Sequence, residues 1–390
     1  MLSLKLNKRN CPVCNYKNYI NFFSEKSYKK IDSNGKIYNF SKIYVACKNC
    51  LLVYTNPTVN TKTFDKIYRN SAVGSFREQK IRDKDKKKIK IINNFVKYEY
   101  FKNKKILEIG CGQGTLLNYL VKKYKLKKKD VLGIEPSKSI YKYFKNNKFF
   151  KIKNIFLNQI RTQNKFDFII LDNVFEHFDF PDKALKKLGK ILNYNGKLYI
   201  SLPNLFDLNY DKGSDPLNHT CNYNFENLLF LLNKNNFEVI KKKFSNHLIN
   251  LIAVKSKEKI NTNYKFNIKK INKIKTKLKN NLKIIRKKNK KIIELKKKLI
   301  LDKKKLIIFG SGNYAINVIN KFNLKKHIAY FVDNNKNFYK KKRLGIQVNN
   351  PKILSNNDVD KILICSRAFE NEIKSQLRQM KINQNKIIVA

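Results

Sequence analysis

Short apolar runs alternate with amphipathic stretches through the middle of the chain. Strand-like runs lie at 105–109, 130–134, 166–171 and 196–202, and a stretch that begins near Thr115 carries Leu116, Leu117 and Leu120 at helical spacing. Strands that alternate with helices predict a doubly wound α/β sheet. We therefore expect residues 59–256 to hold lead-in helices and a Rossmann-like α/β domain.

A different pattern covers positions 265–305. Its isoleucines and leucines recur at three- and four-residue steps without glycine or proline, which predicts one long amphipathic helix. The same stretch holds 19 basic residues against only Glu294 and Asp302. We assign 257–304 to a basic linker helix. Two interpretations stay open, a solvated helix packed along one stripe and a surface for anions such as RNA or lipid headgroups.

The last segment, 305–390, begins with the strand-like run 306–309 and continues with Gly310-Ser-Gly312 and Ala315. With Asp333 ending the next strand, this is the G-x-G-x-x-A pattern of a nucleotide-binding turn. The segment has room for only half of a dinucleotide fold. We predict a small Rossmann-like α/β domain that helps to hold a nucleotide-linked sugar or docks onto the preceding domain, in preference to a second, redox activity.

The composition raises the question of whether the protein binds nucleic acid. The chain has 390 residues and a formal net charge of +58, and lysine and arginine favour phosphate backbones. However, positions 104–204 hold 21 basic and 8 acidic residues, which is close to the average of the whole chain. We interpret the charge as compositional drift in preference to a nucleic-acid surface. No apolar run reaches the length of a membrane span or resembles a signal peptide, so we expect a cytoplasmic protein.

Four of the seven cysteines form two C-x-x-C pairs, Cys11 with Cys14 and Cys47 with Cys50. Two such pairs supply four thiolates for a tetrahedral Zn²⁺ ion, and in a cytoplasmic protein metal is favoured over disulfides. The runs between the pairs are typical of short strands joined by a turn at 32–35. We predict a zinc ribbon over residues 1–58 with a structural zinc ion; redox pairs are the alternative.

The sharpest motif follows the first strand of the α/β domain. Glu108 stands two residues before Gly110, and Gly112 and Gly114 complete an acid-x-G-x-G-x-G loop that leads into the helix near Thr115. Glycines let the backbone approach a ligand closely at a helix N-terminus. The second strand ends in Glu135, where a doubly wound fold binds ribose hydroxyls.

These motifs, with Phe166-Asp and the turn that carries Glu176, His177 and Pro181, resemble the class I S-adenosylmethionine-dependent methyltransferases. The run 44–57 looks like the zinc-ribbon lead-in of such enzymes that act on sugars, and 306–348 is similar to the C-terminal domain of nucleotide-sugar C-methyltransferases. The resemblance implies that S-adenosylmethionine binds at a set of residues around the loop and the strand ends: Glu108, Gly110, Cys111, Gly112, Gly114, Glu135, Asn154 (or else Asn158), Asp172 and Asn173.

The resemblance also implies an enzyme of the EC 2.1.1 type with a small-molecule or glycan acceptor, in particular a nucleotide-linked sugar methylated on carbon or oxygen. His219 is the candidate base, and Tyr223, His177 and Glu176 complete the candidate catalytic set, with Tyr68 as a further substrate contact. The alternative for each of these residues is a purely structural role. The alternative function is an RNA methyltransferase that uses the zinc ribbon and the basic helix to bind RNA.

Overall fold

The structure is a computed structural model that describes the chain apart from residues 1, 4–5, 32–36, 71–82, 162, 206–218, 246, 263, 265, 340–341, 356–359 and 367–368. The predicted turn at 32–35 therefore lies outside the described residues. The chain divides into two compact units, one of residues 1–208 and 215–275 and one of residues 209–214 and 276–390.

The described strands, in chain order, are β1 (Leu2–Ser3), β2 (Leu6–Asn7), β3 (Tyr19–Ile31), β4 (Ile37–Cys47), β5 (Val53–Thr55), β6 (Thr58–Val59), β7 (Ile106–Ile109), β8 (Val131–Ile134), β9 (Lys151–Lys153), β10 (Phe166–Asp172), β11 (Leu192–Pro203), β12 (Cys221–Asn222), β13 (Phe237–Ser245), β14 (Leu248–Lys255), β15 (Leu306–Phe309), β16 (Ile328–Val332), β17 (Lys342–Arg343), β18 (Ile346–Asn349), β19 (Lys361–Ile364) and β20 (Ile387–Val389).

The described α-helices are α1 (Thr61–Arg69), α2 (Asp83–Phe95), α3 (Thr115–Tyr124), α4 (Lys138–Phe144), α5 (Pro181–Ile191), α6 (Phe225–Lys234), α7 (Ile268–Leu301), α8 (Asn313–Phe322) and α9 (Glu370–Gln379). Among the described residues, no helix combines the length and the apolar character that a membrane span needs.

The first unit is built on a seven-stranded sheet in the order β13-β14-β11-β10-β7-β8-β9. Strands β11 to β9 run parallel, and β14 and β13 close the other edge in antiparallel pairs. Ile106 and Phe168 pack with α2, α3 and α4 on one face, whereas Leu107 and Ile169 pack with α5 and α6 on the other. Helices cover both faces, so the predicted Rossmann-like α/β fold is confirmed.

A smaller sheet near the N-terminus has the order β1-β4-β5-β12, with β3 paired to β4. Strands β3 and β4 are antiparallel, and β4 ends at Cys47. Strand β12 follows β11 of the central sheet in the chain. It pairs with β5, and Cys221 lies opposite Tyr54 in this pair. The N-terminal sheet is thus completed by the segment that follows His219.

The second unit contains a six-stranded sheet in the order β17-β18-β16-β15-β19-β20. Strands β18, β16, β15, β19 and β20 pair in parallel, and the short β17 is antiparallel to β18. Three residues from the last turns of α7, Ile292, Leu295 and Leu299, are buried in the core of this unit. The end of the basic helix is therefore part of a folded core.

Candidate active site

One cavity of about 430 Å³ lies at the carboxyl ends of β7, β8 and β10. Parallel strands that end at one edge of a sheet bring their following loops together, which is where open α/β sheets bind ligands. Helix α1 covers part of the cavity with Phe64, Asp65 and Tyr68, and the turn after β10 contributes His177. Among the predicted cofactor residues, the cavity wall includes Gly110, Gly112, Glu135 and Asn173.

The glycine loop turns through left-handed backbone, with φ of 64° at Gly110, 52° at Gly112 and 69° at Gly114. A Cβ atom at Gly114 would lie 2.2 Å from the Phe150 ring, and one at Gly110 would lie 2.6 Å from Val174. At Gly112 no protein atom lies within 4 Å of such a Cβ. Because Gly112 also lines the cavity, its open backbone fits a ligand that lies directly on the loop.

Glu135 follows β8 and is only 4% exposed. Its two carboxylate oxygens accept backbone N–H bonds from Gly112 at 2.9 Å and from Ser137 at 2.8 Å. Burial raises the pKa of Glu135, and these two hydrogen bonds oppose the rise. The side chain thereby fixes the glycine loop against the turn after β8 and forms part of the cavity wall.

Asn154 and Asn158 have different positions. The Asn154 amide donates to the carbonyls of Glu135 and Pro136 at 2.7 and 2.9 Å and so braces the turn after β8. Asn158 lines the cavity. Two other predicted residues, Glu108 and Cys111, are buried, and Cys111 packs in the apolar cluster beneath α2 and α3.

Asp172 ends β10 and forms an ion pair with Lys88 from α2. Asn173 follows in left-handed backbone, donates its N–H to the Ser201 carbonyl at 2.8 Å and donates its amide to Asp172 at 3.1 Å. Sequence reasoning missed Lys88, because one lysine among so many carries no distinguishing signal in the sequence.

Glu176, His177 and His219 converge beside the cavity, with their candidate donor atoms within 4.8 Å of one another. The His219 Nε2 atom lies 3.8 Å from a Glu176 oxygen, and the two imidazole rings are 5.0 Å apart. Glu176 is 2% exposed, and burial raises its pKa to about 8. The structure therefore joins three of the four predicted catalytic side chains into one group.

The two candidate tyrosines differ in whether they line the cavity. Tyr68 on α1 lines the cavity, and its ring centre is 5.8 Å from that of His177. Tyr223 is fully buried, and its ring packs 5.4 Å from Phe175 in the core. Tyr68 is thus open to a ligand in the cavity, whereas Tyr223 lies behind the site.

Arg9 links the N-terminal sheet to the turn after β10. Its guanidinium donates to the carbonyls of Thr55, Asp179 and Thr220 at 3.2, 2.9 and 3.3 Å. Asp179 lines the cavity, and burial raises its pKa to about 6 although Arg9 opposes the rise. Neither Arg9 nor Asp179 belongs to a sequence motif that we recognised.

The four paired cysteines come together in the N-terminal region. The sulfur atoms of Cys11 and Cys50 are 3.5 Å apart, as are those of Cys14 and Cys47, and all four lie within 4.8 Å of one another. Thiolates around a tetrahedral Zn²⁺ ion, with bonds of about 2.3 Å, stand about 3.8 Å apart. The arrangement therefore fits a four-thiolate metal site.

Comparison with known protein families identifies the domain that holds the cavity. Residues 76–242 match a family model described as a methyltransferase domain. This part of the chain is a methyltransferase domain. It contains β7 to β11 and all of the glycine loop, so the predicted methyltransferase domain is confirmed for this segment. Residues 302–388 match a second model, described as C2185-like, N-terminal.

Two individual proteins match parts of this chain at about 30% identity. The tRNA U34 carboxymethyltransferase of Campylobacter fetus subsp. fetus (strain 82-40) is 30% identical over 105 residues, which cover 25% of this chain and 36% of that protein. The ribosomal RNA small subunit methyltransferase A of Mycoplasmopsis synoviae (strain 53) is 29% identical over 174 residues, which cover 40% and 61%. The chain thus spans less than two thirds of either relative.

Among solved structures, the magnesium protoporphyrin IX methyltransferase of Synechocystis PCC 6803 with bound S-adenosylmethionine matches 52% of this chain and 100% of its own, with 16% identity and a TM-score of 0.36.

Proposed function

We propose that the protein transfers a methyl group from S-adenosylmethionine to a carbon or oxygen atom of a nucleotide-activated sugar or a surface-glycan unit. The observation that carries this proposal is the group of Glu176, His177 and His219 beside the cavity of the methyltransferase domain. A group that accepts protons is needed there, since the acceptor loses a proton when it gains the methyl group.

The cofactor is proposed to lie on the glycine loop, over Gly110 and Gly112, with its ribose toward Glu135 and its adenine toward Asn158. The open backbone at Gly112 supports this placement. Asn158 is preferred to Asn154 for the adenine, because the Asn154 amide already donates to two carbonyls. S-adenosylmethionine supplies an electrophilic methyl group on a sulfonium, so catalysis consists mainly of alignment and proton removal.

His219 is the proposed base. An imidazole that takes up a proton becomes a cation, and a carboxylate 3.8 Å away stabilises that cation. Burial raises the pKa of Glu176 to about 8, so this stabilisation is strongest above that pH, where Glu176 is ionised. His177 and Tyr68 form the neighbouring wall and orient the acceptor.

The walls of the cavity support a sugar acceptor over a polyanion. In a chain with 86 basic and 28 acidic residues, the cavity is lined by three carboxylates, Asp65, Glu135 and Asp179, and by two lysines, Lys183 and Lys187. Aromatic rings of Phe64, Phe178 and Phe180 line it as well. Carboxylates accept hydrogen bonds from hydroxyl groups, and rings pack on the apolar faces of a sugar.

We further propose that Cys11, Cys14, Cys47 and Cys50 hold one structural Zn²⁺ ion. With all four positions filled by thiolates, no site is left for a substrate, so the metal stabilises the N-terminal sheet and takes no part in the reaction.

RNA methylation is the second candidate. One relative is named as a tRNA carboxymethyltransferase and another as a ribosomal RNA methyltransferase, and the exposed lysines of α7 supply positive charge, although the cavity itself is not electropositive.

The test offers methyl-labelled S-adenosylmethionine to zinc-loaded, RNA-free protein together with a pool of nucleotide-sugars or, separately, total RNA. Label in the sugar pool is expected, with a loss of at least about a hundredfold in His219→Ala. His247→Ala, an exposed histidine at the β13–β14 turn, is the matched control and should retain full activity. Label in RNA alone would replace the sugar proposal with the second candidate.

A further inference from the structure

Lys88 differs from the other basic residues whose side chains the structure describes because it is buried. The chain has 86 lysines and arginines, and among those whose side chains the structure describes only Lys88 is buried, with 7% exposure. An ammonium group loses its hydration when it is buried, which is unfavourable unless negative charge compensates. The burial of Lys88 therefore marks a place where negative charge has to be held.

The position of Lys88 is beside the glycine loop. Helix α2 packs on the same apolar cluster as Cys111 and Leu116, which lie in the loop and at the start of α3. The ion pair of Lys88 with Asp172 lies at the end of β10. This strand end adjoins the loop, since a Cβ at Gly110 would come within 2.6 Å of Val174.

The other charges at these strand ends are negative. Glu108 is the penultimate residue of β7, Glu135 follows β8, and Asp172 ends β10. The methionine end of S-adenosylmethionine carries one ammonium and one carboxylate group. These three acidic residues suit the ammonium group, but they repel the carboxylate, which needs a cation.

We propose that Lys88 binds the carboxylate of the cofactor's methionine end, while Asp172 faces the ammonium group. An ion pair is complementary to a zwitterion, because each of its charges meets an opposite one. Asp172 already holds the lysine side chain at the strand end, so little conformational entropy is lost when the cofactor binds. The inference rests on the cofactor in the proposed function and is independent of the acceptor.

The test compares two ligands by calorimetry with the zinc-loaded, full-length protein. S-adenosylhomocysteine has the amino-acid end, whereas 5′-methylthioadenosine keeps the adenosine and the thioether but lacks that end. Lys88→Met should weaken S-adenosylhomocysteine binding about tenfold or more, the usual effect of losing a hydrogen bond to a charged group. Binding of 5′-methylthioadenosine should change by less than about twofold on the same reasoning.

Two further variants serve as controls for charge and for the helix. Lys88→Arg keeps a cation at the site and should bind S-adenosylhomocysteine more tightly than Lys88→Met. Lys90→Met removes an exposed lysine from the same helix and should bind both ligands like the wild type. Lys88→Met combined with Asp172→Asn avoids an unpaired buried carboxylate, and the selective loss should persist in it.

Equal losses for the two ligands would assign Lys88 a structural role, and unchanged binding of S-adenosylhomocysteine would remove it from the cofactor site. A wild-type protein that binds neither ligand would overturn the cofactor assignment itself, which is distinct from a protein that binds both but methylates no sugar.

Discussion

At the scale of single residues, the three glycines of the loop differ in their surroundings. Gly114 has the Phe150 ring where a side chain would go, and Gly110 has Val174, but Gly112 has open space. All three have left-handed backbone, which disfavours any residue with a Cβ. Gly114 is therefore required by packing, whereas Gly112 is required by the ligand that we place in the cavity.

This contrast predicts separate effects of two alanine substitutions. Gly112→Ala should lower the free energy of unfolding by only about 1–2 kcal/mol, the backbone cost. It should still weaken S-adenosylhomocysteine binding about tenfold or more, because its methyl group enters the cavity. Gly114→Ala should be less stable by about a further 1–3 kcal/mol, since its Cβ overlaps a ring. Chemical denaturation and calorimetry measure both quantities, and equal binding by Gly112→Ala and the wild type would contradict the cofactor's placement.

Glu176 predicts a pH dependence of stability. Burial raises its pKa from 4.5 to about 8, so the folded protein binds this proton more tightly than the unfolded chain does. The contribution of Glu176 to stability is therefore complete below the unfolded pKa and is lost as the pH rises through about 8. The free energy of unfolding of the wild type should fall with rising pH, and that of Glu176→Gln should fall less, by on the order of a few kcal/mol.

Urea denaturation across this pH range measures the difference between the two proteins. Glu238→Gln, which changes an exposed residue of β13, should follow the wild type. If the free energy of unfolding changes with pH in the same way for Glu176→Gln and the wild type, Glu176 is not held protonated in the folded protein.

The loop glycines could be read from the sequence because their spacing is distinctive, and the structure brings Gly110 and Gly112 to one cavity with Glu135. Lys88 and Arg9 could not be found in this way. Each is one basic residue among 86. Lys88 is distinguished by its burial and Arg9 by its contact with the turn after β10, and both are properties of the fold.

At the scale of secondary-structure elements, the short strand β12 ties the N-terminal sheet to the methyltransferase domain. It pairs with β5 directly after His219, and Thr220 receives a hydrogen bond from Arg9. Order in the N-terminal sheet therefore supports the segment that carries the proposed base. A metal ion bound by the four cysteines would stabilise both.

Loss of that metal predicts a loss of stability. Cys47→Ser should reduce bound zinc from one ion per chain to almost none and should lower the melting temperature by several degrees, because a structural zinc ion contributes to folding. Cys365→Ser, which changes a buried thiol of the second unit, should keep one zinc ion. Metal analysis and thermal denaturation test this, and unchanged zinc in Cys47→Ser would contradict the four-thiolate site.

The strands and helices of the central sheet could be predicted because their apolar periodicity is local. The order of the strands could not, nor could the pairing of β12 with β5, since such contacts join residues far apart in sequence. Helix α7 was predicted over 265–305 and is observed from Ile268 to Leu301. The prediction is close to the observed helix because the apolar spacing is sustained over many turns.

At the scale of the whole molecule, the net charge of +58 predicts that RNA binds by charge alone. A protein that contacts about 6–10 phosphates loses about 10³–10⁵ in affinity between about 50 and 200 mM salt. Such a loss is expected equally for tRNA and for an unstructured RNA of the same length, without methyl transfer to either. Filter binding at several salt concentrations measures it, and a strong, salt-resistant preference for one RNA would favour the RNA methyltransferase alternative.

The central claim is that the cofactor occupies the cavity beside Glu176, His177 and His219. The chain has only four histidines, so ¹⁵N-histidine labelling gives four ring environments to follow by NMR. On addition of S-adenosylhomocysteine, His177 should shift most, because it lines the cavity, and His219 should shift with it, while His247 and His327 stay in place. Saturable binding that leaves His177 and His219 unchanged would contradict the claim.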